Sequence, residues 1–268
     1  MVTKPANEVV TDPISADLKK VMRQLKLSPM LDTLPDRLTL ARQQHLSHAA
    51  FLELVLADEA TRRDTSSAAR RARAAGLDPA MRLDTWDEDA AVRYDRTLWT
   101  DLTSLRFLDA AHGAVILGAV GVGKTHLATA LGHIAVRRRI PTLMLRAEAM
   151  FKRLRASRLD NSTEAEMRRL AQVRLLIIDD FALQPMDATA TADFYELVVA
   201  RHQHSATIVT SNRGADEWLT VMTDAMLAES AVDRLTSTAH ELVIEGPSYR
   251  QRQKPTVDSS PSSTHHPH

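Results

Sequence analysis

The feature that most constrains this chain is the octapeptide Gly118-Ala119-Val120-Gly121-Val122-Gly123-Lys124-Thr125, which fits G-x-x-x-x-G-K-[ST]. The aliphatic run Ala114-Val-Ile-Leu precedes it, and the helix-forming stretch His126-Leu-Ala-Thr-Ala-Leu follows. A strand–loop–helix setting is what gives this pattern physical meaning. Glycine is scarce, eight residues in 268, yet three of the eight fall inside the loop. Glycines let the backbone curl so that successive N–H groups face inward as an anion cradle, and the following helix adds its positive amino end. The loop therefore predicts an α/β protein whose residues Gly118 to His126 hold the phosphates of a nucleotide. Lys124 would reach the β- and γ-phosphates, and the Thr125 hydroxyl would ligate Mg²⁺.

The chain from about residue 80 repeats the same texture. Short β-rich runs at Ala114–Leu117, Thr142–Leu145, Val173–Ile178, Thr207–Thr210 and Glu241–Ile244 alternate with helical patterns near 124–139, 147–158, 163–171, 187–203 and 229–237. Such alternation implies a parallel sheet with helices on both faces. The third run ends in Asp179-Asp180, about 55 residues after the lysine. A parallel strand delivers its last side chains to the edge of the sheet where the phosphate loop opens. Asp179 is then placed to serve the Mg²⁺ side of the site, and Asp180 to polarise the attacking water. The fourth run ends in Ser211-Asn212-Arg213. Alone that is a turn, but beside an Asp-Asp strand the Asn212 amide is placed to hydrogen-bond the γ-phosphate or the lytic water.

Residues 1–13 read as a loose leader, 14–78 as a small helical module, 79–250 as the nucleotide-binding domain and 251–268 as a disordered tail without periodicity. In the module, Leu18, Val21, Met22 and Leu25 follow helical spacing, as do Leu31, Leu34, Leu38 and Ala41. Ser47 is placed to cap a third helix presenting Phe51, Leu54 and Val55, and a fourth, basic helix is expected from Thr61 to Ala75. The absence of Cys rules out disulfides and thiolate metal sites. The longest strongly apolar run, Leu175–Ile178, is far short of the ~20 residues that span a bilayer. No apolar signal-like segment stands at the amino end, so the expected location is cytoplasmic and no membrane partner is expected.

The order GAVGVGKTHLATALG, LLIIDDFAL, TIVTSNR, AVDRL and ELVIEGPSYR, together with the pre-loop segment from Leu83 to Leu108, resembles the IstB-like ATPases from about Leu25 to Arg250. These are helper proteins of insertion-sequence transposition within the AAA+ superfamily, related to DnaC-type helicase loaders. The resemblance implies an AAA+ P-loop core with a parallel five-stranded sheet, an all-α amino-terminal module and no carboxy-terminal lid domain. It implies ATP and Mg²⁺ as cofactors, with Lys124 and Thr125 in Walker A and Asp179 and Asp180 in Walker B. It makes Asn212 the sensor asparagine, and Arg234 the arginine inserted into a neighbouring subunit's site, so that activity requires a homo-oligomer. Asp180 departs from the commoner Glu, which sets a base back by about one methylene and bears on the hydrolysis rate. The implied function is to assemble on DNA and recruit or activate the transposase encoded by the same element. A helicase loader and a nucleotide-gated DNA-binding scaffold with little turnover share the same motifs.

Zero net charge, 34 basic against 34 acidic residues, conceals a strong polarity. From Arg137 to Arg174 eleven basic residues face four acids, a net of +7; residues 175–229 hold nine acids against Arg201 and Arg213, a net of −7. The basic stretch, with Arg137, Arg138, Arg139, Lys152, Arg153, Arg155 and Arg158 as its candidate contacts, suits backbone binding of double-stranded DNA. Aromatic residues make up only 4% of the chain, which gives base stacking on single strands little support.

Overall fold

The computed structural model describes residues 14–87 and 91–249. The leader 1–13, the tail 251–268 and Arg250 lie outside the described residues. The chain divides into two compact units between Ser67 and Ala68.

The first unit holds α1 (Ala16–Gln24), a 3₁₀ turn over Ser28–Asp32, α2 (Leu34–Gln43) and most of α3 (His48–Ala74). Ser15 caps α1 by accepting from Leu18 N–H, and the Ser47 hydroxyl does the same for Ala50. Ile14, Met22, Met30, Leu34 and Val55 form its small core. One expectation needs correction. The third and fourth helices are one continuous α3, because nothing between Phe51 and Ala74 breaks it: the stretch has no Gly or Pro. The helical spacing of Leu18, Val21 and Met22 is that of α1, on which only Met22 is buried; Leu18, Val21 and the capping Leu25 are exposed.

The second unit begins inside α3, whose last residues join the larger core through Ala72, with Ala75 and Leu77 following. It continues through α4 (Arg96–Ser104), β1 (Gly113–Gly118), α5 (Lys124–Arg137), β2 (Thr142–Arg146), α6 (Ala147–Ser157), α7 (Thr163–Gln172), β3 (Leu175–Phe181), α8 (Ala188–Arg201), β4 (Ala206–Ser211), α9 (Ala215–Trp218), α10 (Ala225–Thr236) and β5 (Ala239–Ile244). The strands form one parallel sheet in the order β2-β3-β4-β1-β5. The Asp-Asp strand is thus separated from the phosphate-loop strand by β4. All five expected strands are present, and α4, with the short α9, had no counterpart in the sequence reading.

Alternation along each buried strand divides two cores. Ala114, Ile116, Leu175, Ile177, Ile208 and Leu242 face a layer built from α5, Leu77 and the segment 92–108. Val115, Leu117, Leu176, Ile178 and Val209 face α6, α7, α8 and α10. Side chains two apart share a face, so uniformly apolar runs such as Leu175–Ile178 feed both layers, as strands buried on two sides do.

Candidate nucleotide-binding site

The phosphate loop leaves β1 at the carboxyl edge of the sheet. Gly118, Gly121 and Gly123 have φ of +149°, +86° and +105°, a region that side-chain-bearing residues rarely adopt. Lys124 folds its Nζ back onto the loop, donating to the carbonyls of Gly118 (2.8 Å) and Ala119 (2.9 Å). Ala119 and Val120 stand at the exposed tip, and Val122 is fully buried beneath it. His126 turns sideways: its Nε2 lies 2.8 Å from Arg82 O and its ring stacks edge-on to Trp86 at 5.1 Å. Trp86 also packs on Gly123, where an added Cβ would meet the indole at 2.5 Å. The indole Nε1 is buried without a hydrogen-bond partner among the described residues.

Asp179 closes the far side. It is 1% exposed, and its Oδ1 accepts from the hydroxyls of Thr125 (2.9 Å) and Thr210 (2.6 Å). Burial pushes its carboxyl above the ordinary range; the Thr210 hydrogen bond opposes this, the neighbouring Asp180 charge adds to it, and Thr125 and Arg146 pull it back. Thr210 escaped the sequence reading. Its role comes from adjacency of β4 to β3, and a threonine in a strand reads only as a β-former.

Asp180 sits in a bulge. The register between β3 and β4 shifts between Ile178 and Phe181, and Asp180 takes φ +54° with its N–H held by Thr210 Oγ1 at 3.0 Å. Its side chain lines a cleft of about 750 Å³ shared with Arg146, Lys152, Arg155 and Asp187. Asn212 is exposed at the end of β4 between two anchored neighbours. The Ser211 hydroxyl donates to Phe181 O (2.9 Å) and accepts from Trp218 Nε1 (3.0 Å), while Arg213 N–H donates to Ser211 Oγ (3.2 Å).

Arg234 lies elsewhere. Near the end of α10, its guanidinium hydrogen-bonds Ser230 and faces the Tyr195 ring at 6.0 Å. It lines a small cleft with Gly113 and Thr207, at the amino edge of the sheet. Strand β1, six residues long, separates that edge from the loop by roughly 20 Å.

The candidate DNA contacts are not brought together. Arg137, Arg138 and Arg139 end α5 on one face of the sheet, while Lys152, Arg153, Arg155 and Arg158 belong to α6 and its end on the other. Several are also neutralised. Arg153 pairs with Glu166 (3.1 Å), Arg155 with Asp187 (2.8 Å) and Arg158 with Asp193. The +7 stretch therefore meets part of the −7 stretch directly, across α6 and α8.

The donor set fits a nucleotide with a divalent cation. A buried carboxylate flanked by two hydroxyls, and a lysine whose Nζ is turned onto loop carbonyls, are groups that a cation and phosphate oxygens would engage. Among the described residues no cluster of three or more His, Asp or Glu gathers. A cation here would share its coordination with phosphates, as Mg²⁺ characteristically does.

Comparison with known proteins places the chain in a family. The profile of the IstB-like ATP binding protein family matches residues 20–257. A putative ATP-binding protein in an insertion sequence of Mycobacterium tuberculosis is 36% identical over 239 residues, covering 89% of this chain and 95% of the relative. The insertion sequence IS21 putative ATP-binding protein of Pseudomonas aeruginosa is 29% identical, covering 89% and 90%. The solved structure of DnaI superposes with a TM-score of 0.53 at 20% identity, over 61% of this chain and 90% of that one. The replication initiator DnaA bound to AMPPCP and single-stranded DNA gives 0.53 at 18% over 64% and 51%. At such identities the structural likeness carries the fold alone, a parallel α/β core with a phosphate loop. The sequence match carries more, for it spans both units and the whole of the loop, acid-strand and Ser-Asn-Arg series: the chain belongs to the IstB-like ATP-binding proteins.

Proposed function

We propose that this protein hydrolyses ATP, assembles as a homo-oligomer on duplex target DNA, and there recruits or activates the transposase of its own insertion sequence, hydrolysis timing disassembly. One observation carries the reading. The hydroxyls of Thr125 and Thr210 converge on buried Asp179 beside the phosphate loop, in a chain whose relatives are ATP-binding proteins of insertion sequences. Lys124 would leave the Gly118 and Ala119 carbonyls for the β- and γ-phosphates. Thr125 and Asp179 would hold Mg²⁺, which when bound neutralises phosphate charge. Asp180 would accept a proton from the attacking water, Asn212 would orient that water or the γ-phosphate, and a neighbour's Arg234 would stabilise transition-state charge. Arg146 and Lys152 form no ion pair among the described residues and line the cleft next to Asp180, which favours the α6 side for DNA phosphates.

The test is phosphate release with and without duplex DNA. Wild type is expected to be stimulated, and Lys124→Ala to fall by ~10²-fold or more. Equal, slow release by both while DNA is still bound would replace hydrolysis with a nucleotide-gated scaffold. Capture of a hexameric helicase in place of the transposase would move the protein to the loader branch.

A further inference from the structure

The chain after β5 does not leave the site. Arg93 and Glu245 exchange backbone hydrogen bonds of 2.7 and 2.9 Å, and Gly246 takes φ +140° where a Cβ would lie 2.6 Å from Ala91 O. The segment then returns to the phosphate loop. Tyr249 N–H donates to Gly121 C=O at 2.8 Å, and a Cβ on Gly121 would lie 2.1 Å from Ser248 Oγ. Position 121 is one that the pattern G-x-x-x-x-G-K-[ST] leaves open. The Ser248 contact, with φ +86°, accounts for a glycine that the phosphate motif does not itself demand.

The hydrogen bond has a geometric consequence. A trans peptide is planar, so its C=O and the next N–H point in opposite directions. With the Gly121 carbonyl turned outward to Tyr249, the Val122 N–H is turned to the opposite, inner side of the loop. An inward N–H is the element from which an anion cradle is built. A loop left without this tie is free to flip that peptide, and must order it again each time phosphate binds.

We propose that Ser248 and Tyr249 form a latch that holds the Gly121–Val122 peptide in the phosphate-binding orientation, making Tyr249 a positioning residue for nucleotide. The proposal rests on the loop taking a nucleotide. Because coupling is reciprocal, nucleotide in the loop also holds the latch closed.

The test uses the full chain and AMPPCP as probe. Tyr249→Pro removes the donor, while Tyr249→Ala keeps it and controls for the side chain. Titration calorimetry is expected to show about tenfold weaker binding for the proline variant and a change under about twofold for the alanine variant. Equal affinity of wild type and Tyr249→Pro overturns the latch. A wild type that binds no better than Lys124→Ala overturns the nucleotide reading beneath it. A second measurement needs no variant: hydrogen exchange at the Tyr249 amide is expected to slow when AMPPCP saturates the loop, and an unchanged rate overturns the coupling.

Discussion

Asp179 sits in the nucleotide site at a cost to the fold. Its folded carboxyl is raised from the ordinary 3.8 by burial, with Asp180 adding in the same direction and Thr210, Thr125 and Arg146 opposing. A raised acid is bound more tightly by protons in the folded chain than in the unfolded one. The stability it contributes is therefore full below the unfolded value and lost as pH rises through the folded one. Above the unfolded value the nucleotide-free protein therefore carries a penalty for this group, and a bound cation would remove it. Asp179→Asn is accordingly expected to melt above wild type at pH 7 without nucleotide, the gap narrowing as pH falls, while phosphate release drops by ~10²-fold or more. Differential scanning calorimetry across pH checks this; a variant that melts lower at every pH would show that the hydrogen bonds outweigh the charge. At this scale the sequence spoke clearly where chemistry and motif coincide, as at Lys124, Thr125 and Asp179. It was silent at Thr210 and Trp86, which join the site through strand order and a pre-loop turn rather than through any local pattern.

Between elements, the tie that spacing could not reveal is Arg201, the last residue of α8. It is 2% exposed and donates to Leu170 O (2.7 Å), Ala171 O (3.2 Å) and Val173 O (2.8 Å) at the end of α7, to Thr207 Oγ1 (2.9 Å), and to Ala206 O. One guanidinium thus satisfies carbonyls that the end of a helix leaves open, and fastens α7 and α8 to the start of β4. Burial pushes its pKa down to about 9, which leaves it charged at neutral pH. Arg201→Met strands those carbonyls and is expected to cost about 3 kcal/mol, lowering Tm by roughly 6–12 °C. Arg155→Met makes the contrast: its pair with Asp187 is exposed on both sides (65% and 54%) and is expected to cost under ~1 kcal/mol. Urea unfolding of the two variants checks the difference, and equal midpoints would remove Arg201 from this role. In composition both residues are merely arginine. The strands were legible because apolar runs of that length have few alternatives between helical patterns. The continuity of α3 was not, because arginine-rich and apolar stretches differ in texture while sharing helix propensity.

For the whole molecule, the neutral sum of charges is a partition that folding partly cancels. Arg155 and Arg158 meet Asp187 and Asp193, so the basic stretch offers less free charge than its sequence promised, and α5 and α6 present their basic ends on opposite faces. What the partition leaves intact is polarity between sheet edges. The loop, Asp179, Asp180 and Asn212 occupy the carboxyl edge, and Arg234 the amino edge beside Gly113 and Thr207. Arg234 lies roughly a strand's length from its own phosphate loop, whereas in an oligomer whose subunits pack edge to edge it would face the next subunit's loop. Arg234→Ala is then expected to lower phosphate release by ~10³-fold or more while leaving AMPPCP affinity of the isolated chain unchanged. Lys124→Ala should be equally inactive for a different reason. Mixing the two inactive variants places an intact Arg234 beside an intact Lys124 at some interfaces, so the mixture should release phosphate faster than either alone, with a rate that rises with protein concentration. Arg234 acting within its own subunit would give no such gain at any mixing ratio, and assembly would then have no part in the chemistry.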